Sequence, residues 1–179
     1  MPWGYGHPPV GAPIAAMSEC FQDAMPGDLC FGCGAENTHG LRIRSFWEGD
    51  EGVCRFTPLP HHQGWPGITC GGILATLVDC HSMATAMASA VRREGRALDS
   101  EPHYRFATGS MSLRYLKPTP NDRPLVVRAH VTEVKDDRKY TLACGVYSGG
   151  EKTVEATVVA FRVYRSDCPL EAGLGASAA

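Results

Sequence analysis

Asp79 is the one formally charged residue in the stretch ILATLVDCHSMATAMASAV, from Ile73 to Val91, and Gly71-Gly72 stands just before it. Read as a helix, this stretch surrounds the acid with apolar side chains on most of its circumference. An ionised carboxylate left there costs free energy unless something pairs with it or uses it. Such an acid is weakly solvated, which suits it to act as a general base or a nucleophile. The glycine pair at the helix start leaves backbone N–H groups unpaired and open to close approach, and the positive helix end adds to their pull on an anion. Together these features point to acyl transfer. Asp79, or a water it activates, would attack a carbonyl polarised at Gly72.

One helix cannot bring the two parts together. Cys70 and Asp79 are nine positions apart, which is about 13 Å of rise and half a turn net. If they cooperate, the glycines of one chain must face the acid of a second chain across a two-fold axis. The competing reading of Asp79 is an acid satisfied by hydroxyls or backbone donors in the core.

The elements that position these residues are legible from pattern. Leu41 to Trp47 and Val53 to Phe56 read as strands joined by a turn, and PLPHHQGWPGITCGG reads as an irregular loop rich in Pro and Gly. The helix ends near Arg92-Arg93 with Gly95 as its terminator. Strands follow over Ala107–Leu116, Leu125–Val134, Tyr140–Tyr147 and Thr153–Tyr164, with turns at Lys117–Asp122 and Ser148–Gly150. This order is an α+β plan in which one antiparallel sheet wraps a single long helix. The last strands are apolar on both alternating sets (Val158, Val159, Ala160, Phe161), so a second copy is expected to cover an exposed face or edge.

Bulk properties narrow the class. The chain has 179 residues and a net charge of −2, with 17 basic and 19 acidic side chains. That suits one domain and argues against nucleic acid as partner. Residues 1–27 read as a Pro/Gly-rich leader, 28–166 as the domain and 167–179 as a flexible tail. The first residues lack Lys, Arg and a sustained apolar run, so no export signal and no membrane span are expected. The location expected is cytoplasmic, with the eight cysteines reduced.

Other candidates carry less. Cys30 and Cys33 form one CxxC, and no second pair at zinc spacing accompanies it, so no metal is expected. Asn37 and His39 read as parts of a turn, although His39 could be recruited as a ligand. His81 has the wrong helical phase to meet Asp79 and reads as packing. Arg92, Arg93, Arg114, Lys117 and Arg123 could meet the phosphates of a nucleotide-bearing substrate, with solvated surface charge as the alternative. No Walker or Rossmann glycine motif is present, and no cofactor is expected.

The segment QGWPGITCGGILATLVD, from Gln63 to Asp79, resembles the signature of hotdog-fold acyl-CoA thioesterases, in the branch that includes the phenylacetate-pathway enzyme. CFGCGAENTHGL, from Cys30 to Leu41, resembles a motif of the same superfamily, and the resemblance covers roughly residues 28–165. It implies a hotdog fold, a homodimer or a dimer of dimers, and hydrolysis of acyl-CoA or acyl-carrier thioesters. By resemblance Asp79 is the base or nucleophile, Gly71 and Gly72 supply the oxyanion N–H groups, and Thr108 orients the attacking water. The family places His where this chain has Cys70, and a thiol donates hydrogen bonds poorly. Cys70 is therefore a tolerated change in a working enzyme, a reactive thiol, or the mark of a module that binds an acyl ligand without hydrolysis. His61, His62 and Gln63 are candidates for the missing donor. Arg114 and Lys117 are candidates for substrate binding, and Met83, Met87, Phe106 and Met111 for the acyl pocket.

Overall fold

The computed structural model describes residues 19–25 and 29–168. Most of the expected leader and tail lies outside the described residues. Part of the leader does not: Phe21–Ala24 forms a 3-10 turn with Phe21 fully buried, its ring 4.8 Å from that of Trp47. An aromatic side chain gives this short segment enough apolar area to dock on the core.

Helix α1 runs from Gly71 to Arg93. Its interior carries no glycine or proline. Its turns present Leu74, Leu77, Val78, Met83, Met87 and Val91 to the core, and each is buried. Arg92 and Arg93 lie in the last turn, where cations are favoured, and Gly95 follows at φ +67°. Length and composition alone would let α1 cross a membrane, contrary to the expectation that no such span exists. Most of it is buried inside the chain's own sheet.

That sheet has six antiparallel strands: β1 (Ser45–Glu48), β2 (Glu51–Phe56), β5 (Tyr104–Tyr115), β6 (Leu125–Lys135), β7 (Lys139–Ser148) and β8 (Glu151–Arg165). Their spatial order is β1-β2-β6-β7-β8-β5. Alternation drives the wrapping, since Val154, Ala156, Val158 and Ala160 face α1 and are all buried. The opposite set carries the expected Val159 and Phe161 beside small and polar side chains. Thr141, Ala143 and Thr157 lie there, and Phe161 is 40% exposed with its ring over Gly109. The loop before α1 is more ordered than its Pro and Gly content suggests. Pro60–His62 is a 3-10 turn, and β3 (Gln63–Trp65) pairs with β4 (Ile68–Thr69).

His81 is fully buried and ties the first hairpin to the helix. Its Nε2 donates to the Gly52 carbonyl at 3.0 Å, because a carbonyl can only accept. Nδ1 then accepts from Ser45 Oγ at 2.8 Å, and Ser45 Oγ accepts from Gln22 Nε2 at 3.0 Å. Glycine at position 52 is required, since a Cβ there would lie 2.4 Å from Thr85 Oγ1. The sequence reading of His81 as packing agrees with this place.

Burial pushes the His81 pKa down to about 4. An unfolded chain takes up that proton near pH 6.5, whereas the folded chain refuses it until about pH 4. The contribution is therefore complete above pH 6.5 and is lost as pH falls toward 4. Urea unfolding should show about 1.4 kcal/mol of lost stability per pH unit in that window from this residue. His81→Gln should remove that component of the slope, and an unchanged slope would contradict it.

Candidate functional site

Two cavities flank β5 on its helix side. One, of about 290 Å³, is lined by Asp79, Thr108, Met83, Phe106, Cys33 and Cys80. Asp79 is half-buried there between fully buried Val78 and largely buried Cys80. Thr108 Oγ1 donates to Asp79 Oδ1, which pairs one oxygen of the carboxylate that lines the cavity. The sequence-derived partner of the acid is thus beside it. Of the expected pocket residues, Met83 and Phe106 line this cavity; Met87 is in the core and Met111 is 36% exposed at the sheet edge.

The second cavity, of about 670 Å³, is an open groove over the start of α1, lined by Cys70, Gly71, Gly72, Tyr115, Lys117 and Trp65 among others. Cys70 is the N-cap and makes no side-chain capping bond. Its N–H donates to the His62 carbonyl at 2.8 Å. The N–H groups of Gly71 and Gly72, in the first turn, have no intrahelical acceptor. Tyr115 Oη donates to the Gly71 carbonyl at 2.8 Å and stands over that glycine. Gly72 is exposed, and a Cβ there would meet only Cys70 Sγ, at 3.8 Å.

Among the described residues the two cavities share no lining residue. Within one chain the acid and the glycines stay about 10 Å apart along the helix, as their seven-residue spacing requires.

The remaining expected site residues divide. Lys117 lines the glycine groove and pairs with Glu151 at 3.1 Å. Gln63 staples the β3–β4 turn, accepting from Gly67 N–H and donating to the Pro60 carbonyl. His62 is buried, stacks on Phe56 and accepts from Leu59 N–H at 3.0 Å. Burial, and then the charge of His61, hold its pKa below the ordinary imidazole value. Neither Gln63 nor His62 lines the groove. Arg114 pairs with Glu155 at 2.8 Å on the face away from α1. Arg92 and Arg93 sit at the other end of α1, about 30 Å from the glycines, and Arg123 pairs with Asp122. Asn37 and His39 form the expected turn, with Asn37 Oδ1 accepting from His39 N–H at 2.9 Å.

Sequence reasoning missed Tyr115 as a site residue. Its signal was the register of β5. Thr108 pairs with Ala160 and Ser110 with Val159, so Gly109 is an extra, bulged residue. The bulge shifts the alternation by one, which puts Thr108, Met111, Leu113 and Tyr115 all on the helix side.

No family model matches the chain. It is 30% identical over 128 residues to an acyl-coenzyme A thioesterase, THEM4, of Bos taurus, a match covering 69% of this chain and 47% of that protein. The chain thus spans about half the length of this curated relative. A thioesterase superfamily protein from Shewanella loihica PV-4 superposes with a TM-score of 0.57 at 30% identity, over 72% of this chain and 96% of that one. The Streptococcus mutans UA159 protein smu.793, solved bound to acetyl CoA, superposes at 0.54 with 14% identity, over 69% and 90%. The chain belongs to the thioesterase superfamily, and its helix wrapped by one antiparallel sheet is the hotdog fold.

Because Gly72 has open space, its replacement by alanine should not strain the fold. Gly72→Ala is expected to raise stability by about 0.5–1 kcal/mol, seen as a higher melting temperature. A lower melting temperature would mean that the backbone, and not ligand access, needs this glycine.

Proposed function

We propose that the protein hydrolyses acyl-CoA or acyl-carrier thioesters at a site shared by two copies of the chain. The observation that carries this reading is the edge of β5, which is free among the described residues. It is the last strand in the sheet, twelve residues long, with Ala107 to Ser112 all exposed. An edge of this length invites pairing with another strand. Discounting the bulged Gly109, Thr108 and Tyr115 stand three ladder positions either side of Ser112. Antiparallel pairing of two β5 strands about a two-fold axis at Ser112 would set Thr108 of one copy opposite Tyr115 of the other. Side chains directly opposite in such a pair are about 5 Å apart at Cβ. The Asp79 cavity of one copy would then open beside the glycine groove of its partner.

In that composite site the thioester carbonyl oxygen accepts from the first-turn amides at Gly71 and Gly72. Thr108 holds Asp79 Oδ1, and Oδ2 takes a proton from water as the water oxygen bonds to the carbonyl carbon. The tetrahedral oxyanion collapses, the carbon–sulfur bond breaks, and the proton passes from Asp79 to the departing thiolate. A carboxylic acid and a thiol leave. Met83 and Phe106 give the acyl group an apolar wall, and Lys117 offers a cation at the groove. Backbone amides do the polarising, so Cys70 in place of histidine does not remove the donors; this favours hydrolysis over the alternative of an acyl-binding module. The names of the cattle relative and of the acetyl CoA-bound neighbour support the substrate class.

Purified protein tested on a panel of acyl-CoAs, with free thiol followed, should turn over at least one. Asp79→Asn should lower kcat/KM by about 10²–10⁴-fold, and Gly72→Ala should lower it without loss of fold. Activity unchanged in Asp79→Asn removes that residue from the mechanism. Binding without turnover in the unmodified chain, with hydrolysis gained in Cys70→His, would establish the binding module instead.

A further inference from the structure

We infer that Cys30, Cys33 and Cys80 form a site for a thiophilic metal ion, with zinc as the best match. The two loop thiols and the helix thiol converge from positions about fifty residues apart in sequence. Their Sγ atoms all lie within 4.8 Å of one another, and Cys30 Sγ is 3.6 Å from Cys80 Sγ. Among the described residues this is the one group of three side chains placed to share an ion. Thiolates bound to tetrahedral zinc at about 2.3 Å stand about 3.8 Å apart. The triangle therefore needs to close by no more than about 1 Å along any edge.

The surroundings are built for this approach. A Cβ on Gly32, between the two loop cysteines, would lie 2.2 Å from Cys80 Sγ and 2.9 Å from Thr76 Cγ2. Only glycine lets the loop press its thiols against the helix. Backbone bonds hold the loop in shape: Gly34 N–H to the Cys30 carbonyl at 2.9 Å, Leu41 N–H to Phe31 at 2.8 Å, and Ile43 N–H to Gly32 at 2.9 Å. Cys33 and Cys80 are 4% and 7% exposed, while Cys30 is exposed, so an ion has an entry side. All three thiols line the Asp79 cavity. Three sulfur ligands would occupy one side of a tetrahedron, and the fourth position would face that cavity. All-sulfur donors select zinc, copper(I) or cadmium over magnesium or calcium. Each thiol surrenders its proton on ligation, so up to three protons leave per ion bound. Occupancy would place a charged centre beside the residue that precedes Cys80, which is Asp79.

The full chain, reduced and passed over a chelating resin, can be titrated with cobalt(II) and then zinc(II). The expected result is one cobalt per chain with a thiolate-to-cobalt charge-transfer band in the near ultraviolet and tetrahedral d–d bands in the red, both abolished by one equivalent of zinc. Cys168→Ser should retain the spectrum, and Cys80→Ser should lose it. If Cys80→Ser does not fold, Cys30→Ser, at an exposed position, carries the same expectation. Reduced unmodified protein with no such band, or a band untouched by these site variants, overturns the proposal.

Discussion

The rigid spacing of an α-helix is the constraint on which the rest of this structure depends. Gly72 and Asp79 ride on the same straight element, seven residues apart, and 1.5 Å per residue keeps them about 10 Å from each other. No side-chain rotation closes that gap. Because α1 is buried on most sides by a single sheet, it cannot bend to close it either. The chain holds an acid with an oriented hydroxyl in one cavity and a set of helix-start amides in another.

Strand β5 spans both. Its Thr108 end meets Asp79 and its Tyr115 end meets Gly71, and the bulge at Gly109 is what lets residues an odd number apart face the same helix. The same strand is the long edge left unpaired among the described residues. One element therefore contributes a side chain to each cavity and, in the proposed reading, supplies the surface on which two copies would bring the cavities together. Sheet edges of this length are normally blunted or covered, and here covering the edge and assembling the site would be a single event.

Much of this was legible in the residues themselves. The apolar run around Asp79 predicts the core helix, and the alternation in residues 125–164 predicts β6, β7 and β8 with ends within one or two residues. By contrast, β1 starts at Ser45 and not Leu41, and β5 at Tyr104 and not Ala107. The helix-start glycines and the acid follow from local chemistry. Thr108 came from resemblance, and the structure sets its hydroxyl on Asp79. What escaped depends on contacts distant in sequence. Tyr115 needs the bulge register, which a period-two pattern does not reveal. Phe21 reads as part of a disordered leader until its ring is seen against Trp47. Cys80 carries no signal of its own in the sequence, and its place emerges only when the loop with Cys30 and Cys33 is folded over it. His62 and Gln63 sit near Cys70 in sequence, yet their polar atoms are spent on the turn that precedes the helix.

Subunit complementation tests the shared site most directly. Asp79→Asn and Gly72→Val, each inactive alone, would be unfolded together, refolded as a mixture and assayed for thioester hydrolysis. If the acid of one copy works with the glycines of the other, mixed dimers contain one intact site, and random pairing restores about a quarter of the unmodified activity. If each chain carried its own complete site, no mixture could contain an intact one, and activity would stay at the level of the separate variants.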